Sequence, residues 1–160
     1  MSLQMILAYD SPGDVGQLFS EYTNMLIEGD ASINEYLKIQ NYEDELKNLE
    51  QKYGLPNGRL YLAYYDGNLA GCIGLRKIDD ENCEMKRFYV RPEFRGKRIG
   101  NQLIKKIIME SKEISYKHML LDTLPYLENA VLMYKKYGFY EIQSYNNSPM
   151  DTSIFMRLDL

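Results

Sequence analysis

CEMKRFYVRPEFRGKRIGNQLIKKIIMES (Cys83–Ser111) reads as a strand, a tight basic loop and a helix. The strand covers Glu84–Val90. The loop is RGKRIG, Arg95–Gly100. The helix covers Gly100–Ser111, with Leu103, Ile104, Ile107 and Ile108 forming an apolar stripe. Amides at a helix start have no partner inside the helix, and the helix dipole adds partial positive charge there. Such a turn is an anion site. Arg95, Lys97 and Arg98 add three cations to it. The expected guest is a phosphate, and more specifically a diphosphate.

Downstream, Met119–Thr123 is a short apolar strand, and Leu127–Tyr137 is a helix closed by Gly138. Phe139–Tyr145 and Thr152–Leu158 form a last strand pair. Upstream, Arg59–Tyr65 and Asn68–Arg76 flank Asp66-Gly67, a strong hairpin signal. Gln4–Tyr9 reads as a first strand. Ser11 or Asp14 caps a helix carrying Val15, Leu18, Phe19, Tyr22 and Leu26 at helical spacing. Ile33–Tyr53 is polar, with Tyr36, Leu37, Leu46 and Leu49 as apolar points. It reads as helical in its second half and ends at LeuProAsnGly, Leu55–Gly58. This order predicts one α/β (α+β) domain over residues 1–160, a mixed, mostly antiparallel sheet flanked by helices.

The bulk composition allows this. With 160 residues, 45% hydrophobic and 26% charged, the chain can bury a substantial core. A net charge of −4 gives no global attraction to nucleic acid. Positive charge is local instead: Lys86, Arg87, Arg91, Arg95, Lys97 and Arg98 crowd into one short stretch. That cluster suits a small, highly charged ligand, and no nucleic-acid partner is expected. Cys72 and Cys83 read as buried reduced thiols. No apolar run reaches membrane-spanning length, and no signal-peptide pattern is visible, so a cytoplasmic protein without a membrane partner is expected.

Two familiar phosphate loops do not match. The P-loop needs four residues between its glycines, then Lys and Ser or Thr; here three residues separate Gly96 and Gly100. The GlyXGlyXXGly dinucleotide loop is missing after any strand. What remains is Arg/Gln–X–X–Gly–X–Gly/Ala, partly filled by Arg95–Gly100. With the preceding strand Glu84–Val90 and the later segment NAVLMYKKYGF (Asn129–Phe139), it resembles the GNAT superfamily of N-acetyltransferases. The resemblance covers roughly residues 59–160.

The resemblance implies acetyl-CoA as co-substrate and no metal. It places the diphosphate on the loop amides of Arg95, Gly96, Lys97, Arg98, Ile99, Gly100 and Asn101. It places pantetheine along Phe88, Tyr89 and Val90, like an added strand, on a sheet splayed near Val90. Asn129 matches the family's amide contact to the cofactor and is equally a natural helix N-cap. Arg98 departs from the family's usual glycine. It is expected at negative φ, where a side chain is tolerated.

Acetyl transfer needs a neutral nucleophile, a stabilised oxyanion and a protonated leaving thiolate. By resemblance, Tyr134 is the general acid near the CoA sulfur. Glu84 has two readings: a base working through water with a raised pKa, or the partner of Lys86 or a cross-strand cation. Glu84, Lys86, Phe88 and Val90 share one face unless a bulge intervenes. The sole histidine, His118, has no visible catalytic partner. The expected acceptor is a primary amine of a small molecule or peptide, reacting directly in a ternary complex, and a homodimer is possible. The alternative is a non-catalytic CoA-binding module on the same fold.

Overall fold

A computed structural model describes residues 2–39, 42–146 and 152–160. Among these, seven strands form one sheet in the order β1-β2-β3-β4-β5-β7-β6. The strands are β1 (Leu3–Leu7), β2 (Arg59–Tyr65), β3 (Asn68–Lys77), β4 (Asn82–Val90), β5 (His118–Thr123), β6 (Tyr140–Ile142) and β7 (Ile154–Asp159). Among the described residues only the β4–β5 pairing is parallel. The helices are α1 (Pro12–Gly29), α2 (Ile33–Ile39), α3 (Tyr42–Lys47), α4 (Leu49–Tyr53), α5 (Ile99–Ile114) and α6 (Glu128–Lys136). No described helix is long and apolar enough to cross a membrane.

The hairpin forms where its turn residues demand. Asp66 and Gly67 both have positive φ, 49° and 84°, matching the twist of the flanking strands. The segment Ile33–Tyr53 is helical in its first half as well as its second, contrary to the sequence expectation. Ile33 and Leu37, four residues apart, bury with Leu26 and Leu124. Tertiary burial supplies what weak local periodicity does not. The Tyr36 side chain lies outside the described residues.

Two cores sandwich the sheet. On one face Leu103, Ile104 and Ile107 of α5 meet Ile73, Leu75, Met85, Met119 and Leu121. On the other, Val15, Leu18 and Phe19 of α1 and Leu49 and Tyr53 of α4 meet Leu60, Leu62, Cys72 and Tyr89. Each fully buried Leu, Ile or Phe contributes about 1.5–3 kcal/mol.

A bulge in β4 controls the site. Opposite β3, the register jumps from Cys72↔Tyr89 to Gly74↔Lys86, and Arg87 sits at φ 56°. An extra residue inverts the alternation. Cys83 and Met85 face the α5 core before the bulge, whereas Phe88 and Val90 face it afterwards. Glu84 and Phe88 therefore do not share a face. Pairing of β4 with β5 runs only from Asn82↔His118 to Glu84↔Leu120. Beyond it, β4 follows β3, β5 stays paired with β7 through Thr123, and the sheet opens.

Candidate active site

The opening between β4 and β5 holds a cavity of about 540 Å³. Its walls come from the bulged half of β4, the end of β5 and the starts of α5 and α6. Phe88, Tyr89, Val90, Arg95, Gly96, Arg98, Ile99, Gly100, Asn101, Asn129 and Tyr134 all line it. Two expected residues do not: Lys97 and Glu84. The Lys97 ammonium lies over the Tyr65 ring, 5.3 Å from its centroid.

The loop after β4 begins with a single 3-10 turn, Pro92–Phe94. The Arg95 amide closes that turn by donating to Pro92 O at 3.2 Å. Arg95 is therefore removed from the expected set of anion-facing amides. From Gly96 to Asn101 the amides donate to no protein acceptor among the described residues. The first internal bond of α5 is Gln102 N–H to Arg98 O, 3.1 Å. All of these residues but Lys97 line the cavity, where an anion would complete their amides.

Gly96 sits at φ 85°, a conformation L side chains seldom adopt. Arg98, the N-cap of α5, also lies in the left-handed region, φ 64°. The negative φ expected there is not found. Glycine would fill this position without steric cost; arginine fills it with some strain. Gly100 lets the helix approach Phe88: a Cβ there would stand 3.0 Å from the Phe88 ring.

The six clustered cations do not act together. Arg87 pairs with Glu45 at 2.7 Å, Arg91 with Glu21 at 2.8 Å, and Lys86 stands 3.8 Å from Glu84. The Arg95 guanidinium donates to Val90 O at 3.1 Å, bracing the loop against the strand expected to meet pantetheine. The anion end thus relies on backbone amides more than on the charge count suggested.

Tyr134 lies on α6 and lines the cavity, 7% exposed. Its ring packs against Phe88 and Phe139, with centroids 6.2 and 5.8 Å away. Burial, followed by the nearby Tyr22 and Asp122, pushes its phenol well above the usual value. It stays protonated across physiological pH. Asn129 is the second residue of α6; the N-cap is Leu127. The Tyr137 hydroxyl donates to Asn101 Oδ1 at 3.0 Å and ties the starts of α5 and the end of α6 together.

Glu84 is 2% exposed and fully engaged. Arg76 Nε donates to it at 2.6 Å and Tyr145 O–H at 2.5 Å. Burial alone would raise its pKa, but the charges of Lys86 and Arg76 and these two hydrogen bonds hold it below the usual value. The raised pKa expected of a base is not present. Lys86, pushed down to about 8 chiefly by burial, lines the cavity instead.

The cysteines are free and buried, their thiols pushed up to about 12 by burial. Neither suits an acetyl-cysteine route. His118 sits at the far end of β5, against Asn82 (Nδ1 to Oδ1, 3.1 Å). Sequence reasoning missed Asp122, which lines the cavity from β5. Its signal was a lone carboxylate inside the apolar run Met119–Thr123.

The family model for the acetyltransferase (GNAT) family matches residues 25–139. The chain belongs to the GNAT family of acetyltransferases. An uncharacterised N-acetyltransferase of Schizosaccharomyces pombe is 41% identical, over 78% of this GNAT chain and 77% of its own. One of Dictyostelium discoideum is 32% identical across the whole of both chains. A GNAT acetyltransferase of Elizabethkingia anophelis, solved with acetyl-CoA bound, is 27% identical with a TM-score of 0.57. The match covers 71% of this chain and 82% of that one. This GNAT protein is an acetyltransferase on a mixed, splayed sheet, as its sequence implied.

Proposed function

We propose that the protein transfers acetyl from acetyl-CoA to a primary amine, directly, in a ternary complex. The observation that carries this reading is the opened β4–β5 cleft, lined both by Gly96 and Arg98–Asn101, whose amides are unpaired, and by Tyr134 with its protonated hydroxyl. The loop amides hold a diphosphate. Phe88, Tyr89, Val90 and Asn129 line the path of the pantetheine arm. Tyr134 donates its proton to the leaving sulfur: burial keeps the hydroxyl protonated, and it lines the cavity where the thiolate forms. Direct transfer is favoured because both thiols are buried and unactivated.

Of the two readings of Glu84, the geometry favours the ion pair. Its carboxylate is absent from the cavity wall and saturated by Arg76, Lys86 and Tyr145. Its role is to fix Lys86 and the end of the paired part of β4. Acceptor choice belongs to the α1–α2 side and to the Tyr145–Asp151 loop, of which residues 147–151 lie outside the described residues.

The test is an acceptor panel of small amines and peptides with thiol detection of released CoA. Amine-dependent CoA release with a matching acetylated product supports the reading. Tight acetyl-CoA binding with no transfer to any amine would leave a CoA-binding module and overturn it.

A further inference from the structure

We infer that Asp122 receives the acceptor's ammonium and takes a proton from it, and that the acceptor is a primary amine carrying a short apolar substituent. The inference rests on the acetyl-transfer reading above and names the acceptor side of that site.

Asp122 lies on β5 past Leu120, the last residue paired with β4, so it stands where the sheet has opened. Strand alternation places Leu121 in the α5 core and Asp122 on the opposite face. From there it lines the main cavity, as Lys86 and Tyr134 do. It also lines a second, smaller hollow of about 40 Å³ toward α1 and α2. The apolar wall of that hollow is Leu26, Ile33, Leu37, Leu124 and Leu127. Asp122 therefore stands at the junction between the acetyl-donor cavity and an apolar alcove.

Its carboxylate is oriented: Asn146 Nδ2 donates to Asp122 Oδ2 at 2.9 Å. The groups facing this junction are Lys86 and Arg87 from β4, Tyr22 from α1 and Tyr134 from α6. Among the described carboxylates, Glu128 also lines the main cavity but not the alcove, and Glu84 lines neither. An ammonium set against Asp122 leaves its substituent against the apolar wall of the alcove, whose remaining lining is Tyr22, Arg87, Thr123 and Ser153. A second cation there would lose hydration beside Arg87, with no further carboxylate in the alcove wall among the described residues.

The proton balance closes. Asp122 takes one proton from the ammonium, and the freed nitrogen pair attacks the acetyl carbonyl carbon. The C–N bond forms, the C–S bond breaks, and the sulfur takes its proton from Tyr134. The nitrogen loses a second proton as the amide forms, which restores Tyr134. The products are the acetamide and CoA thiol, with one proton released to solvent through Asp122.

The experiment measures CoA release with isobutylamine, leucinamide and spermidine, for wild type, Asp122→Asn and Asp122→Glu, from pH 6 to 9. Calorimetry with acetyl-CoA runs in parallel. Expected is a preference of about tenfold or more in kcat/KM for isobutylamine or leucinamide over spermidine. Asp122→Asn should lose about a hundredfold or more, the scale of a general base, with acetyl-CoA affinity within about twofold. Its residual rate should climb about tenfold per pH unit, since only amine already neutral in solution reacts, while the wild type levels off. Asp122→Glu should recover part of the rate. Asp122→Asn with wild-type turnover and pH profile, or spermidine as the preferred acceptor, overturns the inference and leaves acetyl transfer standing. Failure of the wild type to bind acetyl-CoA overturns the acetyl-transfer reading itself.

Discussion

Arg87 of β4 and Glu45 of α3 are joined by Nε–H to Oε2 at 2.7 Å and Nη2–H to Oε1 at 2.9 Å. Both are buried, 5% exposed each. Lys52 and the Tyr53 hydroxyl also donate to the same carboxylate, at 2.5 and 2.8 Å. This contact pins α3 to the residue at the apex of the β4 bulge. Glu45→Gln should cost about 3–5 kcal/mol, because it leaves Arg87 buried without its counter-charge. Burial would raise the Glu45 pKa, yet Arg87 and Lys52 hold it down at about 2. A depressed carboxylate stabilises above its unfolded pKa, near 4.3, and the contribution fades as pH falls toward 2. Urea midpoints between pH 7 and pH 2 should fall in the wild type, with a shallower decline in Glu45→Gln below pH 4.5.

Glu84→Gln separates structure from catalysis at the base of the cleft. Removing the charge leaves Lys86 and Arg76 unbalanced beside a buried amide. Expected is a lowered melting temperature with kcat reduced less than about tenfold. A hundredfold fall in kcat at unchanged stability would return the base role to Glu84.

Tyr134→Phe deletes only a hydroxyl, and the ring keeps its contacts with Phe88 and Phe139. kcat should fall roughly ten- to a thousandfold, within the range of general acid catalysis. Affinity for acetyl-CoA should hold. Because burial raises the phenol's pKa, any alkaline decline in wild-type activity between pH 8 and 9.5 belongs to another group and should persist in the variant. An unchanged kcat would remove Tyr134 from the mechanism.

Gly96→Glu tests the anion end of the cavity. Nothing lies within 4 Å of a Cβ built there, so space is not the obstacle. The obstacles are φ 85° and a negative charge set against the diphosphate. Acetyl-CoA binding should drop below calorimetric detection. Normal affinity would move the diphosphate elsewhere.

Arg98→Gly should act in two directions at once. Glycine relieves the left-handed strain at φ 64°, and after its greater unfolded-state freedom is subtracted the gain is about 0.5–1 kcal/mol. The same change removes a cation from the cavity wall, so acetyl-CoA affinity should weaken several-fold at low salt. A melt and a titration on one preparation check both signs.

Much of the site was legible because its signals are local. The loop Arg95–Gly100, the apolar stripe of α5 and the Asp66-Gly67 turn depend on neighbours within a few residues. Tyr134 and Asn129 could be placed because their segment resembles the family's, and both line the cavity. Glu84 was legible as a residue but not as an environment. Its partner Tyr145 lies 61 positions along the chain, beyond any sequence window. Asp122 was overlooked for the same reason: its meaning comes from β4 having turned away, a fact written in β3, β4 and β7 jointly.

The amino-acid order alone determined the succession of strands and helices apart from the first half of Ile33–Tyr53, the basic turn before α5 and, by resemblance, the family. The elements and the turn follow from periodicity and turn chemistry, which act at short range; the family follows from resemblance. Tertiary structure decided which face Glu84 and Phe88 occupy, since one bulge at Arg87 reverses the alternation. It also decided which cations remain at the loop, because Glu21, Glu45 and Glu84 claim Arg91, Arg87 and Lys86 across the fold. Charge pairing and strand divergence depend on distances in space, and residues far apart in the chain set those distances.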